Sequence, residues 1–287
     1  MSVSGVVKVG FVKMGNIGSA PLLEFLLDER ADRQDVRVRV VSSGAKMTPE
    51  EASEMASKIL DFKPNFALVV SPNASLPGPM KARSILKESR IPTIVVSDGP
   101  ARKSVRQFEE EGFGYLIVDA DSMIGARREF LDPTEMALFN ADLIKVLSIT
   151  GVFNLLCLEL DKLIATCHKG DELTLPRIVV DKEKATEAAG FENQYARVKA
   201  MAAYEIARHV ANLTVEGCFM VKEWERYTRL VAAGHEMMRA SAKLADEARE
   251  IEKSEDKLRR TPHHDDGTVL FKTKLIEKPR RSEDQDA

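Results

Sequence analysis

The sequence predicts an α/β fold, a doubly wound and mostly parallel sheet followed by a mainly α-helical half. Over residues 6–120, short runs rich in β-branched residues alternate with helical patterns. Such alternation favours a parallel sheet with helices on both faces. After Asp121 the pattern changes to long segments with a 3.6-residue apolar period, which is typical of packed helices.

The predicted strands are mostly apolar on both faces, as strands covered by helices on each side must be. They span Val6–Val12, Val36–Ser43, Phe66–Ser71, Thr93–Asp98 and Gly114–Ala120. Helices are predicted between them at Leu22–Ala31, Pro49–Asp61, Pro79–Ser89 and Arg102–Glu111. The stretch Thr48-Pro49-Glu50-Glu51 is typical of a helix start, because it combines a capping hydroxyl, an early proline and an acid.

In the second half, Asp132-Pro133-Thr134-Glu135 opens a predicted helix that runs to about His168. Further long helices are predicted at Asn193–Ala211 and Glu223–Lys253, and short strands at Arg177–Val180 and Val215–Val221. Helix faces rich in alanine and methionine, such as Met201-Ala202-Ala203 and Met237-Met238, indicate close helix packing, within the chain or between subunits.

These patterns divide the chain into three predicted parts. Residues 1–125 form an α/β ligand-binding domain, and residues 126–260 form a helical domain. Residues 261–287 form a hairpin-like segment with a charged tail, in which Asp266-Gly267 favours a turn.

Composition excludes several classes of function. The net charge of −3 argues against a nucleic-acid partner bound through its phosphates. Apolar runs are too short to cross a bilayer, and no secretory signal precedes the first strand. The expected location is therefore cytoplasmic, with no membrane partner. Cys157, Cys167 and Cys218 lack metal spacing and are interpreted as buried thiols.

Three turns follow predicted strands and therefore lie at the same end of a parallel sheet. They are Lys13-Met14-Gly15-Asn16, Ser71-Pro72-Asn73 and Ser97-Asp98-Gly99-Pro100. Ligands of such sheets bind beyond this end, at a switch in strand order. The lysine, amides, carboxylate and backbone donors would suit the polar edge of a heteroaromatic ring. The alternative is that proline, asparagine and glycine serve only as turn formers.

Other familiar chemistries fit less well. The glycine turn at Gly10–Gly18 begins a helix, where backbone N–H groups favour an anion or a polar ring edge, but it is neither a P-loop nor a convincing NAD site. NADP remains open, because Ser42, Ser43 and Lys46 could meet a phosphate. His235-Glu236 lacks a second histidine ligand. His263-His264-Asp265-Asp266 could bind a metal but is more typical of a solvated loop, so no metal site is predicted.

Several long motifs resemble those of one family, the coenzyme F420-dependent methylenetetrahydromethanopterin dehydrogenases of methanogenic and related archaea. The longest is GARREFLDPTEMALFNADLIKVLSITG at 125–151. The others are GNIG with LLDERADR (15–33), SPN with PGPMKAR (71–83), VKAMAAYEIA (198–207), GCFM (217–220), HEMM with AKLADEAREIEKS (235–254) and RTPH (260–263).

The resemblance implies an oxidoreductase of methanogenesis-type one-carbon metabolism. It would transfer a hydride reversibly between 5,10-methylenetetrahydromethanopterin and the deazaflavin coenzyme F420, giving 5,10-methenyltetrahydromethanopterin and reduced coenzyme. Coenzyme F420 would be a dissociable co-substrate, with no metal and no tightly bound flavin. The resemblance also implies a homo-oligomer, a homohexamer built as a trimer of dimers, whose helical half supplies the subunit contacts and the pterin side of the cleft.

With this resemblance, Lys13, Asp132 and Glu135 are the candidate catalytic residues. Lys13 would stabilise the negative charge that builds on the deazaflavin ring, and Asp98, Asp132 or Glu135 the methenyl cation. Arg127 and Arg128 would meet anionic ligand groups or form a subunit interface. The residues expected to bind the cofactor are Lys13, Met14, Gly15, Asn16, Ile17, Ser71, Pro72, Asn73, Asp98, Arg127 and Arg128.

Two alternatives remain open. One is an NADP-linked one-carbon dehydrogenase, and the other is a non-catalytic α/β ligand-binding oligomer.

Overall fold

A six-stranded sheet, in which every strand is parallel to its neighbours, forms the centre of the molecule. The computed structural model describes residues 5–28, 33–122, 132–258 and 261–281. The strands are β1 (Val7–Lys13), β2 (Val36–Ser42), β3 (Phe66–Val70), β4 (Thr93–Asp98), β5 (Gly114–Val118) and β6 (Arg177–Val180). The prediction of an α/β fold is confirmed.

The strands lie in the order β2-β1-β3-β4-β5-β6. β1 pairs with β2 on one side and with β3 on the other, so the direction in which the chain adds strands reverses at β1. The carboxyl ends of β1 and β3 therefore flank the switch point at which such sheets bind ligands. β6, predicted as a strand, comes from the second half of the chain and pairs with β5.

Four helices alternate with the first five strands. They are α1 (Ser19–Asp28), α2 (Pro49–Phe62), α3 (Pro77–Glu88) and α4 (Val105–Glu111). Thr48 caps α2 as predicted, because its side chain accepts a hydrogen bond from the Glu51 amide. The helix predicted from Arg102 begins later, since Gly99–Ser104 form a 3-10 turn that brings the Arg102 guanidinium 2.8 Å from the Asp119 carboxylate.

Five helices are described in the second half. They are α5 (Pro133–Ile149), α6 (Val152–Lys169), α7 (Lys182–Ala189), α8 (Gln194–Val215) and α9 (Trp224–Ser254). The prediction of one helix from Asp132 to about His168 is wrong, because α5 and α6 meet at 63°. Gly151 separates them with φ +105°, and a Cβ at this position would lie 1.9 Å from the carbonyl oxygen of Ala185. Only glycine permits both this backbone conformation and this approach.

The strand predicted at Val215–Val221 is also wrong. Glu216–Met220 instead form a π-helical segment that joins α8 to α9. Phe219 and Met220 are 72% and 70% exposed, so the run lacks the buried face that a strand in the sheet would need. The predicted turn at Asp266-Gly267 is present, with the short strands β7 (Leu270–Phe271) and β8 (Arg280–Arg281) pairing antiparallel beyond it.

One apolar core runs from the sheet into the helices of the second half. Within it, Ala203 and Ala207 of α8 are fully buried, as is Met238 of α9. The alanine and methionine faces therefore pack, at these positions, inside the chain rather than between subunits. Among the described residues no single helix is long and apolar enough to cross a membrane, although the bent pair α5–α6 passes by length and composition.

Candidate functional site

The loops after β1 and β3 touch at the switch point. Gly15 adopts φ +73°, and a Cβ at this position would lie 2.9 Å from the Cδ atom of Pro72. Glycine is required here for its left-handed backbone and for the close approach of the two loops. The sheet thus brings the predicted Lys13–Asn16 and Ser71–Asn73 turns together, as the strand-end pattern indicated.

Residues of the first turn differ in what they can offer to a ligand. Lys13 is half-buried, with its Nζ atom 3.3 Å from Glu24 Oε1 of α1, and Asn16 is exposed. The side chains of Met14 and Ile17 are fully buried in two different parts of the core. Met14 and Ile17 can therefore meet a ligand only through their backbone, while Lys13 and Asn16 present polar side chains.

The start of α1 is bound by the chain's own carboxylate. Asp121 accepts hydrogen bonds of 2.6 Å from the amides of Gly18 and Ser19 and from the Ser19 hydroxyl. These donors satisfy the carboxylate, and its negative charge offsets the positive end of the helix dipole. The expectation that these amides are available to an anionic ligand is wrong, because Asp121 occupies that place.

The turn after β3 combines a structural role with an available donor. Asn73 Oδ1 accepts a hydrogen bond from the Ser75 amide at 3.0 Å, which is the turn-forming role of asparagine. Ser71 is fully buried, and its hydroxyl has no hydrogen-bond partner within the part of the chain that the structure describes. Buried hydroxyls without partners are rare in folded proteins. Because Ser71 is as buried as Met14 and Ile17, this turn can meet a ligand through its backbone and through the half-buried Pro72 and Asn73.

Farther along the same edge, charged side chains surround a cavity of about 190 Å³. Asp98 at the end of β4 and Asp119 just after β5 are both more than nine-tenths buried. Each has one carboxyl oxygen that lacks a partner among the described residues. Arg102 and Arg208 line the same cavity, so hydrogen-bond donors and acceptors are both present around a small space.

The surroundings of Asp98 favour the protonated, uncharged form of its carboxyl group. Burial, reinforced by the neighbouring Asp121 carboxylate, raises the pKa of Asp98 to about 9. Burial also raises the pKa of Asp119, opposed by the positive charges of Arg102 and Arg208. Asp98 was expected to serve as a carboxylate beside a cation. In this environment it instead holds a proton at neutral pH and can donate a hydrogen bond.

The start of α5 places Glu135 beside a buried histidine. Asp132 is exposed and caps α5 by accepting a hydrogen bond of 2.8 Å from the Glu135 amide. Glu135 Oε2 lies 3.8 Å from His235 Nδ1 of α9. The His235 ring stacks on Phe139, with ring centres 4.5 Å apart. Burial lowers the pKa of His235, and Glu135 opposes this shift.

A cavity of about 610 Å³ lies elsewhere, between the ends of α5 and α9, α6 and the C-terminal segment. None of the strand-end residues lines it. The volume of a cavity alone therefore does not locate the candidate site. The unpartnered polar groups that converge at the strand ends indicate its position better.

The family model described as methylene-5,6,7,8-tetrahydromethanopterin dehydrogenase matches residues 7–280. The chain belongs to this family.

Relatives match the chain at nearly full length. The F420-dependent methylenetetrahydromethanopterin dehydrogenase of Archaeoglobus fulgidus is 58% identical over 274 residues, covering 96% of this chain and 99% of that protein. The enzyme of the same name from Methanocaldococcus jannaschii is 51% identical over 275 residues, with the same coverage. A solved structure of such a dehydrogenase, in complex with methylene-tetrahydromethanopterin and coenzyme F420, superposes with a TM-score of 0.91. It is 49% identical and covers 96% of this chain and 100% of its own.

In this member of the dehydrogenase family, sequence reasoning missed several polar residues of the crevice. Asp119 and Asp121 directly follow β5, the same signal that singled out Asp98, and could have been found by it. Arg208 lies within α8, where no sequence signal relates it to a strand end. Arg127 and Arg128, which were predicted to bind the cofactor, lie outside the described residues.

The histidine and aspartate cluster of the C-terminal segment separates into two groups. His263 is turned inward and lies 3.0 Å from Asp161 Oδ2. The possible ligand atoms of His264, Asp265 and Asp266 lie within 4.8 Å of one another on the surface. All three side chains are exposed.

Proposed function

We propose that this chain transfers a hydride reversibly between 5,10-methylenetetrahydromethanopterin and coenzyme F420. The products are 5,10-methenyltetrahydromethanopterin and reduced coenzyme F420. The observation that carries this proposal is the match, at a TM-score of 0.91 and nearly full length, to a dehydrogenase solved with both of these molecules. Relatives of the same name at 50–58% identity support it.

We place coenzyme F420 over the switch point between β1 and β3. When bound, the deazaflavin accepts the hydride, and negative charge builds along its pyrimidine edge. Lys13 at the end of β1 is suited to stabilise this charge, because a fixed cation acts most strongly where charge develops. Its partner Glu24 is partly exposed, so Lys13 can exchange this contact for the ligand at little cost. Asn16 and the Ser71–Asn73 turn would bind the remaining polar edge of the ring.

We place the pterin between the ends of β4 and β5 and the helical half. Asp98 and Asp119, each with an unpartnered carboxyl oxygen among the described residues, and Arg102 and Arg208 line this space together. A pterin ring carries donors and acceptors side by side on its polar edge, so this arrangement suits it. Neutral Asp98 can donate to a ring oxygen or nitrogen without adding a second buried negative charge beside Asp121.

Asp132 and Glu135 complete the proposed pterin side. Both lie at the start of α5, directly after the segment that follows β5. The methenyl product is a cation, and a carboxylate at Glu135 would favour it. Most of the rate enhancement should come from holding the two flat rings face to face, because correct positioning of two reactants removes a large entropic barrier.

We further propose a cytoplasmic homohexamer, arranged as a trimer of dimers, with its subunit contacts in the helical part. Exposed apolar side chains support such contacts. Phe219, Met220 and Trp224 are 72%, 70% and 60% exposed at the junction of α8 and α9, and a patch of this kind often marks a protein interface. Light scattering of the purified chain tests the subunit number directly.

The decisive experiment is a cofactor comparison. The purified chain is given methylenetetrahydromethanopterin with either coenzyme F420 or NADP, and reduction is followed optically. We expect reduction of coenzyme F420 only. Turnover with NADP alone would favour the NADP-linked alternative, and binding of both ligands without turnover would favour the non-catalytic ligand-binding oligomer.

A further inference from the structure

A single buried hydroxyl connects both ends of the turn after β3. Ser97, at the second-to-last position of β4, is fully buried. Its hydroxyl donates to the carbonyl oxygen of Ser71 at 2.7 Å and accepts from the amide of Ala74 at 3.2 Å. The Ser71–Ala74 turn is therefore tied to the neighbouring strand at its first and last residues.

A buried arginine holds the same turn from the other side. Arg83 of α3 is 2% exposed, and its Nη1 atom donates to the carbonyl oxygen of Ala74 at 2.6 Å. The guanidinium group lies over the rings of Phe108 and Phe113, with its central carbon 4.9 Å and 5.7 Å from their centres. Contact with aromatic faces stabilises a guanidinium in such a place.

This arginine is costly to bury. No carboxylate of the described residues forms an ion pair with Arg83, and its Nε atom has no hydrogen-bond partner there. Burial lowers the pKa of Arg83 to about 10, so the side chain remains charged at neutral pH. The Glu111 carboxylate offsets part of the effect of burial on this pKa, but a buried charge without a direct ion pair still opposes folding. Its one strong hydrogen bond goes to a turn at the switch point.

We propose that Ser97 and Arg83 are positioning residues that hold the Ser71–Ala74 turn in the geometry required by coenzyme F420. Neither side chain reaches the ligand. They act through the turn, which touches Gly15 of the opposite loop, so the width of the switch-point crevice depends on them. This inference rests on the proposed function and names the residues that set its cofactor side.

Loss of the Ser97 hydroxyl should affect the coenzyme F420 side and the pterin side of the site differently. Removing the Ser97 hydroxyl leaves the Ala74 amide and the Ser71 carbonyl without a buried partner, and the turn must move to reach water. The pterin is proposed to bind beyond β4 and β5, away from this turn. A loosened turn should therefore weaken coenzyme F420 and leave the pterin almost unaffected.

Steady-state kinetics of Ser97→Ala and Arg83→Met test this inference. We expect the KM for coenzyme F420 to rise about 10-fold in each variant, with the KM for methylenetetrahydromethanopterin changed less than about 2-fold. Arg83→Lys keeps a charge and a donor and should recover part of the affinity. If Arg83→Met fails to fold, the KM values of Ser97→Ala and Arg83→Lys for coenzyme F420 still test the inference.

Thr93→Val is the matched control. Thr93 lies at the other end of β4, is equally buried, and donates its hydroxyl to the Ile91 carbonyl at 2.8 Å. The control should lower the melting temperature as Ser97→Ala does while leaving both KM values unchanged.

The inference alone would be overturned if the wild type is active and the KM for coenzyme F420 in Ser97→Ala, Arg83→Lys and Thr93→Val equals that of the wild type. A wild type that does not reduce coenzyme F420 would overturn the proposed function together with it.

Discussion

Replacing Asp98 with asparagine should stabilise the folded chain, and the gain should grow as the pH rises. Asp98 is 8% exposed, and one of its carboxyl oxygens has no partner within the described part of the chain. The neighbouring Asp121 carboxylate already accepts three hydrogen bonds from Gly18 and Ser19, which favour its ionised form. Asp98 is therefore the member of the pair that keeps a proton, and its pKa is raised to about 9.

The magnitude follows from the difference between the folded and the unfolded state. In the unfolded chain the Asp98 carboxyl group has a pKa of about 3.9, and below this value both states hold the proton. Between about 3.9 and about 9 only the folded state holds it, so unfolding releases one proton. The free energy of unfolding then falls by about 1.4 kcal/mol for each pH unit. Asparagine has no proton to release and avoids this loss.

Equilibrium urea unfolding of the wild type and Asp98→Asn at pH values of about 6, 7 and 8 measures the effect. The variant's advantage should increase by about 1.4 kcal/mol, or about 2 °C in melting temperature, per pH unit. The control is Asp61→Asn at the exposed end of α2, where the difference should stay within about 0.5 kcal/mol throughout. A difference between Asp98→Asn and wild type that does not change with pH would mean that Asp98 is ionised in the folded chain.

Three further predictions, one of them with its own control variant, test the site and the fold. Lys13→Ala should lower kcat on the order of 10²-fold with a smaller change in the KM for coenzyme F420, and unchanged turnover would remove Lys13 from the site. Gly151→Ala should destabilise the chain by more than about 2 kcal/mol in urea unfolding, because the new Cβ meets the Ala185 carbonyl. Gly170→Ala, with φ +73° and open space around its Cβ, should cost only about 1 kcal/mol. Glu135→Gln should reduce turnover while the assembly stays intact in light scattering.

The sheet could be predicted because its strands are short runs rich in β-branched residues that alternate with helical patterns. The break at Gly151 could not, since apolar residues keep their helical period across it and a single glycine is tolerated within many helices. What ends the helix there is the carbonyl of Ala185, a residue more than thirty positions later. That contact exists only once the second half has packed.

The residues of the candidate site were likewise predictable only in part. Lys13, Ser71 and Asp98 follow strands directly, so the strand-end pattern was sufficient to locate them. The capping of Ser19 by Asp121 joins residues 102 positions apart, and the sequence offered only the general preference of a helix start for an anion. The pattern predicted that a negative group binds at α1 but could not show that the chain supplies this group itself.

Glu135→Gln separates two roles for the helical half, because Glu135 belongs to the proposed pterin side and also contacts His235. Burial depresses the pKa of His235, and the Glu135 charge partly restores it. His235 therefore adds stability above its unfolded pKa of about 6.5, and this stability is lost as the pH falls below that value. Without the Glu135 charge the pKa of His235 falls further, so Glu135→Gln should lose more stability in acid than wild type.

A role in the reaction predicts a second effect that a scaffold does not. Glu135→Gln should lower kcat near neutral pH, where His235 is neutral in both proteins and the stability difference is small. Glu236→Gln changes the adjacent, exposed carboxylate, which lies 3.4 Å from Arg239 on the same helix, and should leave kcat unchanged. If Glu135→Gln shows the acid-sensitive stability but a normal kcat, Glu135 serves His235 alone. The pterin cation would then have to be stabilised from the strand ends.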